Sequence, residues 1–372
     1  MRILMFGHKR IPSREGGVEI VVEELCRRMV ELGHTVTCCN RAGHHVSGAQ
    51  FDAKAEKEYK GIRIKKVWSI DKRGFAAVTS SLMSALYSIF SGAEVVHIHA
   101  EGPAFMCCLP KLFGKKVVVT IHGLDWQRAK WKESVGSKFI HMGEKMAVRF
   151  ADEIIVLSQG VQDYFLQTYG RETVFIPNGV NAVQKREAQQ ITEQFNLRSG
   201  EYFLYLSRLV PEKGLAYLVD AFSKLHTDKK LVIAGGSSDT EDFVNALKAK
   251  TADDPRVLFT GFVQGQLLEE LYSNAYAYVL PSDLEGMPIS LLEAMSYGNC
   301  CVTSDIVECA DVVEDRGITF ARGDVDGLAA VLQDLCDHPE TVAAYQATAA
   351  DYITQRFDWD DVTRRTLELY QK

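Results

Sequence analysis

The chain lacks the cysteine spacing of the common metal and redox motifs. None of its nine cysteines forms a Cys-x-x-Cys pair, which argues against a zinc ribbon or a thioredoxin-type site. Three adjacent pairs lie in or beside apolar runs: Cys38–Cys39, Cys107–Cys108 and Cys300–Cys301. Adjacent cysteines do not normally bridge each other, so we expect reduced thiols in the core of a cytosolic protein.

The chain also lacks an excess of positive charge and a long hydrophobic run. Its 42 Lys and Arg residues are outnumbered by 49 Asp and Glu residues, for a net charge of −7. Nucleic-acid backbones bind basic surfaces, so we expect no nucleic-acid partner.

No apolar stretch approaches the ~20 residues of a membrane span. The segment Phe75–Phe90 comes nearest, but its serines and its length favour a packed helix, and residues 1–7 are too strand-like for a signal peptide.

A length of 372 residues predicts two domains. Strand-like runs alternate with helix-like runs from end to end, which predicts an α/β fold with parallel sheets covered on both faces. The predicted strands are residues 2–7, 35–40, 62–68, 95–100, 116–122, 153–158, 173–177, 202–208, 230–235, 257–261, 276–281 and 300–304.

The domain boundary is predicted where a turn is followed by a polar stretch. Residues 177–180 (Pro-Asn-Gly-Val) close one run of strands, and residues 181–193 carry few apolar side chains. We therefore expect an N-terminal domain over residues 1–181, a C-terminal domain over residues 182–352 and a final segment, 353–372, that contains the last helix.

Two loops of the C-terminal half carry paired charges. Arg208 ends the predicted strand 202–208 and Lys213 follows it, and Glu285 follows the predicted strand 276–281. The helix after the second loop contains Glu293, and its exposed N–H groups attract anions. Cations at a strand end beside a helix N-terminus suit a nucleoside diphosphate-sugar.

The sequence resembles the motifs of the retaining GT-B glycosyltransferases of family 4 at Arg208, Lys213, Glu285 and Glu293. The two glutamates lie in the segment Glu-Gly-Met-Pro-Ile-Ser-Leu-Leu-Glu-Ala-Met. The resemblance is nearly complete in the C-terminal half, where Gly235–Gly236 keeps the family order, and less dense in the N-terminal half. It implies two doubly wound, parallel-sheet (Rossmann-like) domains that face each other across a cleft. It also implies a last helix that crosses back to the N-terminal domain.

The resemblance implies that Arg208 and Lys213 contact the diphosphate of a sugar donor. Negative charge grows on the diphosphate as the glycosidic bond breaks, and fixed cations offset it. It also implies that Glu293 holds the ribose hydroxyls of the nucleotide. The alternative for Glu293 is an ordinary solvated helix carboxylate.

By the same resemblance, Glu285 contacts the donor sugar together with the backbone of Gly286, Met287 and Pro288, although Pro288 has no N–H to donate. Glu285 and Glu293 could instead form the acid and base of a glycoside hydrolase. We disfavour that interpretation because Glu293 is expected about two helical turns beyond the helix N-terminus, too far to share one bond with Glu285.

His122 ends the predicted strand 116–122 and opens the sequence His-Gly-Leu-Asp-Trp. The family has a histidine here that is thought to contact the donor sugar; the alternative is a packed strand-end histidine. This segment, with Lys130–Trp131, is similar to bacterial enzymes of cell-wall and capsule glycan assembly, including rhamnosyltransferases. The catalytic residues implied by the resemblance are therefore His122, Arg208, Lys213 and Glu285.

Gly16 and Gly17 lie between the first strand and a helix predicted over residues 20–32. Paired glycines allow close backbone approach to a ligand, so we expect them to line the donor phosphates or the acceptor. The Gly-x-Gly-x-x-Gly pattern is absent from this loop, which argues against a dehydrogenase.

Two patterns could indicate a metal. His97 and His99 share one face of a strand, but no third ligand with suitable spacing is evident. Asp324 and Asp326 form an Asp-x-Asp sequence, but its position at a helix start is more typical of a cap. We therefore expect no metal and no cofactor, and the nucleotide-sugar is a substrate.

A local basic and aromatic patch stands out in an acidic chain: Trp126, Arg128, Lys130, Trp131, Lys132 and Lys138. It has two interpretations. It could contact the anionic inner face of the cell membrane and admit a lipid-linked acceptor, or it could be a solvated loop and helix face.

With these features, the resemblance implies a cytoplasmic, metal-independent, retaining, hexosyl-type glycosyltransferase of bacterial surface polysaccharide synthesis. The expected donor is a nucleotide-sugar, and the expected acceptor is a glycan or a lipid-linked saccharide. The alternatives are another GT-B enzyme, such as a sugar 2-epimerase or a sugar-phosphate-accepting synthase, and a non-catalytic partner in glycan assembly. The motifs are compatible with UDP, GDP and dTDP donors and leave the sugar, the linkage and the oligomeric state open.

Overall fold

A computed structural model of the protein describes residues 1–43, 57–70, 72, 75–127, 135–237 and 240–372. These residues form two compact units. The first consists of Met1–Gly179 with Trp359–Lys372, and the second consists of Val180–Asp358.

The first unit is built on an eight-stranded sheet of order β3-β4-β2-β1-β5-β6-β7-β8. The pairs between its strands are parallel except β3 with β4. Strands and helices alternate, so helices cover both faces of the buried strands. In chain order the elements are β1 (Arg2–Phe6), α1 (Gly17–Glu31), β2 (Thr35–Arg41), β3 (Glu58–Tyr59), β4 (Ile62–Val67), α2 (Phe75–Phe90), β5 (Val95–His99), α3 (Glu101–Ala104), α4 (Cys108–Leu112), β6 (Lys116–Ile121), α5 (Val135–Phe150), β7 (Glu153–Val156), α6 (Gln159–Tyr169), β8 (Val174–Phe175) and the last helix, α15 (Trp359–Gln371).

The second unit is built on a six-stranded parallel sheet of order β11-β10-β9-β12-β13-β14. Its core joins strand residues such as Phe203 and Ile233 to the inward face of α8, where Leu215, Leu218 and Phe222 are buried. The elements are α7 (Gln190–Phe195), β9 (Tyr202–Leu206), α8 (Leu215–Phe222), β10 (Lys230–Ala234), α9 (Glu241–Lys250), β11 (Val257–Gly261), α10 (Gln266–Ser273), β12 (Ala277–Leu280), α11 (Ile289–Ser296), β13 (Cys300–Ser304), α12 (Val307–Val313), β14 (Ile318–Phe320), α13 (Val325–Asp337) and α14 (Pro339–Arg356).

The structure confirms the predicted α/β class, and each predicted strand is present with ends that differ by two residues at most. The sequence analysis missed β3 and β14, which are two and three residues long and give almost no periodic signal. Helix α1 begins at Gly17 rather than at residue 20. Pro288 is the N-cap of α11, which ends at Ser296.

The boundaries between the units differ slightly from those expected. The first unit ends at Gly179 instead of residue 181, and its last segment begins at Trp359 instead of residue 353. The reason for the second difference is that α14 continues to Arg356, with Ile353 fully buried. Gly179 and Trp359 touch, because a Cβ at Gly179 would lie 2.6 Å from the Trp359 indole.

Helix α15 returns the chain to the first unit and is fixed there by polar contacts. Arg28 on α1 bonds Asp360 at 2.7 Å, and the Tyr370 hydroxyl lies 2.6 Å from His97 Nδ1 in β5. Across the described ranges no helix is both long and apolar enough to span a bilayer.

Candidate functional site

The loops after β9 and β12 meet at one edge of the second unit's sheet. The two strands are parallel neighbours, so their carboxyl ends lie side by side. Gly214 has φ +68°, and a Cβ there would lie 1.8 Å from the Pro281 carbonyl oxygen. The Asp283 N–H donates to the Glu212 carbonyl at 2.9 Å. Close packing that only glycine permits therefore joins the two loops.

An ion pair spans these loops. Lys213 Nζ lies 2.5 Å from Glu285 Oε1, and the two side chains are only 12% and 5% exposed. The Ser282 hydroxyl donates to the same carboxylate oxygen at 2.7 Å. A buried carboxylate needs such partners because desolvation of an unpaired charge is costly.

Arg208 is the second residue after β9 and is half-buried. The neighbouring Leu209 N–H donates to the Gly236 carbonyl at 3.0 Å, which fixes this backbone against the loop after β10. Gly235 makes the approach possible, since its φ is +145° and a Cβ there would lie 1.8 Å from the Ser207 carbonyl oxygen. The structure thus brings Arg208 and Lys213 to the same strand end, as predicted.

Glu293 lies nearer the helix start than expected. It is the fifth residue of α11, about 6 Å along the axis at ~1.5 Å per residue, so the prediction of two helical turns was wrong. Its Oε2 accepts a hydrogen bond from the Tyr272 hydroxyl at 3.4 Å. The Tyr272 ring stacks on Tyr297 with centroids 5.3 Å apart. Glu293 is half-buried, which argues against a fully solvated carboxylate.

Gly286, Met287 and Pro288 connect Glu285 to the start of α11. Met287 is 9% exposed, and the Pro288 carbonyl accepts from the N–H groups of Leu291 and Leu292 at 3.1 and 3.2 Å. The first turn of the helix is thus formed immediately after Glu285.

Four imidazoles lie at the carboxyl ends of three adjacent strands in the first unit. His8 follows β1, His97 and His99 belong to β5, and His122 follows β6. His99 Nδ1 lies 3.0 Å from His122 Nε2, and the rings of His97 and His99 stack at 4.3 Å. We call these four residues the imidazole edge.

Burial keeps most of the imidazole edge uncharged. It lowers the pKa of His8 to about 4 and that of His97 to about 3, and it lowers the pKa of His99 well below its usual value. His97 bonds hydroxyls through both nitrogens, Tyr370 at 2.6 Å and Thr120 at 2.7 Å. Neither nitrogen is then available to a metal, and the described residues contain no group of three or more metal-ligand side chains.

Gly16 and Gly17 form the start of α1. Gly16 is the N-cap, with extended backbone, and Gly17 is the first helical residue. A buried carboxylate lies close by: Glu19 Oε1 accepts from the Lys9 N–H at 2.8 Å, and a Cβ at Gly16 would lie 2.7 Å from Glu19 Oε2. This carboxylate takes up part of the positive potential at the helix start.

The sequence analysis missed residues that position the predicted ones. Ser282 donates a hydrogen bond to Glu285. The sequence feature that could have identified it is a hydroxyl residue directly after a predicted strand. Glu101 is fully buried, and its Oε2 accepts from the Asp125 N–H at 2.7 Å in the loop after His122. Burial raises the pKa of Glu101 well above its usual value, and Asp125 adds to the shift. Its signal was a carboxylate at a strand end.

The Asp-x-Asp sequence is structural. Asp324 is the N-cap of α13, and its Oδ1 accepts from the Gly327 N–H at 2.9 Å, which confirms the cap prediction. Asp326 pairs with Lys224 at 2.6 Å.

Most of the predicted basic and aromatic patch, Arg128, Lys130, Trp131 and Lys132, lies outside the described residues. Of its other members, Trp126 packs against His141 with ring centroids 4.8 Å apart, and Lys138 is exposed on α5.

Comparison with known proteins agrees with this geometry. Residues 15–184 match the family model Glycosyltransferase Family 4, and residues 200–338 match Glycosyl transferases group 1. Glycogen synthase of Mycobacterium tuberculosis is 27% identical over 401 residues, covering 100% of this chain and 94% of that protein. O-antigen chain mannosyltransferase B of Escherichia coli is 27% identical over 190 residues, covering 50% of this chain and 49% of that protein.

The fold is also that of a protein of known structure. The structure of Anabaena HepE in complex with UDP and glucose superposes with a TM-score of 0.81 and 18% identity, covering 99% of this chain and 98% of that one. The matched models, the parallel-sheet units and the meeting of Arg208, Lys213 and Glu285 lead to one conclusion: the chain belongs to glycosyltransferase family 4 and has the GT-B fold.

Proposed function

We propose that this glycosyltransferase moves a sugar from a nucleoside diphosphate-sugar to a glycan or lipid-linked saccharide, with retention of anomeric configuration, in bacterial surface polysaccharide synthesis. The observation that carries the proposal is the junction of the β9 and β12 loops, where Arg208 and Lys213 lie with Glu285. The names of two similar proteins support it: HepE was solved with UDP and glucose, and the mannosyltransferase acts on an O-antigen chain.

Arg208 and Lys213 stabilise the departing diphosphate. A guanidinium binds two phosphate oxygens at once and an ammonium acts as a point charge, so the two cations complement each other. They offset the charge that grows on the leaving group, and no divalent cation is required. Glu293 holds the ribose hydroxyls beside Tyr272.

Glu285 orients the donor sugar instead of attacking it. Its Oε1 takes bonds from both Lys213 and Ser282, and a carboxylate oxygen with two donors is a weak nucleophile. This favours front-face transfer, in which the bond from the anomeric carbon to phosphate oxygen breaks as the bond to the acceptor oxygen forms. The acceptor proton passes to the departing phosphate oxygen.

The first unit supplies imidazole hydrogen-bonding groups. His122 contacts a hydroxyl of the donor sugar, with its ring fixed by His99 at 3.0 Å. Gly16 and Gly17 line the donor phosphates or the acceptor. We place the protein in the cytoplasm, at the inner face of the cell membrane, where a lipid-linked acceptor is available.

The test is the thermal stability of the pure protein with UDP, GDP, dTDP, their common sugars and dTDP-rhamnose, each with and without EDTA. A ligand at 100 times its Kd adds about 2.7 kcal/mol to the free energy of unfolding, a clear melting shift. We expect a shift with one nucleotide that EDTA leaves unchanged and Arg208→Ala abolishes.

Arg186→Ala is the matched control, because Arg186 is an exposed arginine of the same unit that pairs with Glu269. It should keep the nucleotide shift. An absence of any shift in the wild-type protein would contradict the proposed donor class. NMR of the product then checks the configuration of the transferred sugar, and an inverted product would contradict retention.

A further inference from the structure

Helix α2 presents its apolar side chains outward. Phe75 and Phe90 are 61% and 85% exposed, and Leu82, Met83 and Leu86 are 38%, 37% and 39% exposed. With 3.6 residues per turn these five side chains fall on one side of the helix. We call them the α2 ridge. Single exposed apolar residues are ordinary, but a continuous row along a helix of 16 residues indicates an interaction surface.

The opposite side of α2 is small, polar and buried. It consists of Ser80, Ser81, Ser84, Ala85 and Ser88. Each serine hydroxyl donates to a carbonyl of the preceding turn, at 2.6 to 3.1 Å. These bonds satisfy the hydroxyls within the helix, so the small face packs against the protein at little cost. The pattern is the reverse of an ordinary surface helix, whose apolar face lies inward.

Helix α2 contains no charged residue, but lysines from neighbouring segments lie near it. The Lys72 carbonyl accepts from the Phe75 N–H at 3.1 Å. Lys65 Nζ lies 4.9 Å from the Tyr87 ring centroid, and Lys115 Nζ donates to the Ala93 carbonyl at 2.8 Å, just beyond the last turn.

Two further observations concern the surroundings of the α2 ridge. Trp68, 60% exposed, belongs to a segment that is tied to α2 by the bond from the Ile70 N–H to Thr79 Oγ1 at 3.0 Å. The carboxylate of Glu94, also just beyond α2, is paired with Arg2. Apolar and aromatic side chains bordered by lysines thus stand out in a chain of net charge −7.

We propose that the α2 ridge docks into the boundary between headgroups and acyl chains of a bilayer that contains anionic lipid. Apolar side chains enter that boundary while lysines contact lipid phosphates. A second copy of the chain is a poorer occupant, since a two-fold contact would bring the lysine border against itself. The proposal rests on the proposed function only in assigning a lipid-linked acceptor.

Co-sedimentation with phosphatidylcholine vesicles, with and without phosphatidylglycerol, tests the proposal. We expect the wild-type protein to bind the anionic vesicles. Leu82→Glu with Leu86→Glu should lower the partition coefficient at least about tenfold, because two carboxylates then enter the apolar boundary. Leu166→Glu with Val307→Glu is the matched control: these side chains are 52% and 54% exposed on α6 and α12, and binding should be unchanged.

Two more variants separate the apolar contribution from the charge. Phe90→Ser removes the most exposed ring without adding charge and should also weaken binding. Lys65→Ala with Lys115→Ala should weaken binding to anionic vesicles about 30-fold, at ~1 kcal/mol for each of the two lysines near the surface, and should not change binding to neutral vesicles.

Three outcomes would overturn the proposal. The wild-type protein could fail to bind either vesicle, the ridge variants could bind as well as the wild type, or sedimentation velocity could show a dimer that the ridge variants dissociate. The nucleotide melting shift, measured on the same samples, keeps the two proposals distinct. Loss of vesicle binding with an intact shift leaves the proposed donor site in place, and vesicle binding without any shift contradicts that site alone.

Discussion

The carboxyl edge of the second unit's sheet holds a charged pair, whereas the edge formed by β1, β5 and β6 in the first unit holds three buried histidines, His8, His97 and His99, whose pKa is lowered by burial. Lys213 and Glu285 are both nearly buried and bonded to each other. His97 and His99 are fully buried, and burial lowers the pKa of each. The second unit stabilises two buried charges by pairing them, whereas burial in the first unit favours the uncharged form of these two histidines.

This difference matches what each edge is proposed to bind. A diphosphate requires fixed cations, and an ammonium shared with a carboxylate can turn to phosphate oxygens when they arrive. Sugar hydroxyls are neutral donors and acceptors, so uncharged imidazoles suit them without the cost of burying a cation. In the proposed function, charge stabilisation therefore comes from the β9 and β12 loops.

Breaking the ion pair should have the largest effect. Lys213→Ala leaves the Glu285 carboxylate nearly buried without its cation, and we expect a loss of about 3 kcal/mol in the free energy of unfolding. Replacing both partners by Lys213→Met with Glu285→Leu should recover much of that loss, because no uncompensated charge remains. Urea unfolding, with hydrogen exchange in peptides from residues 180–358, measures both.

Lys224→Ala is the control for this prediction. Lys224 and Asp326 form an ion pair in the same unit, but their side chains are 49% and 87% exposed. Removing an exposed partner should cost less than about 1 kcal/mol. Equal losses of stability for Lys213→Ala and Lys224→Ala would show that burial of an ion pair does not determine the cost of removing its cation.

Sequence alone predicted the fold well because both sheets are parallel apart from the β3–β4 pair. Buried parallel strands are nearly continuous apolar runs, as in Tyr202–Leu206, and each is separated from the next by a helix signal. The short edge strands β3 and β14 have no such run. Residues at strand ends, including Arg208 and His122, could be predicted for the same reason, since parallel topology collects them at one edge.

Partners distant in sequence could not be predicted. No pattern joins His97 to Tyr370, 273 residues away, or Arg28 to Asp360. The reversed polarity of α2 was also missed. The sequence indicated a packed helix, but which side packs depends on how closely the small serine face fits against the protein, and that is a tertiary property.

The imidazole edge should make the first unit sensitive to acid. The pKa of His8 is lowered from 6.5 to about 4 by burial, with Arg41 acting in the same direction and Glu19 in the opposite one. The unfolded chain therefore binds a proton as the pH falls below about 6.5, whereas the folded chain does not. Stability present above that pH is lost on acidification, by about 2 kcal/mol at pH 5.

His8→Gln isolates this effect, because the amide can donate to Asn40 Oδ1 as the imidazole Nε2 does at 3.1 Å and does not titrate. Between pH 8 and pH 5 the wild-type protein should lose about 2 kcal/mol relative to the variant. The raised pKa of Glu101 acts in the opposite direction, but equally in both proteins, so it cancels. A difference that does not change with pH would contradict the neutral state of His8.

We expect the smallest effects from removing one hydroxyl at each edge. This pair of variants compares a hydrogen bond to a charged group with a hydrogen bond to an uncharged one. Ser282→Ala deletes the 2.7 Å bond to the Glu285 carboxylate, and Tyr370→Phe deletes the 2.6 Å bond to the neutral His97 ring. Bonds to charged groups contribute about 1.5–3 kcal/mol and neutral ones about 0.5–1.5. We therefore expect Ser282→Ala to cost more than Tyr370→Phe in urea unfolding. Ser282→Thr keeps the hydroxyl and should restore most of the loss, and a larger cost for Tyr370→Phe would mean that the imidazole edge carries charge.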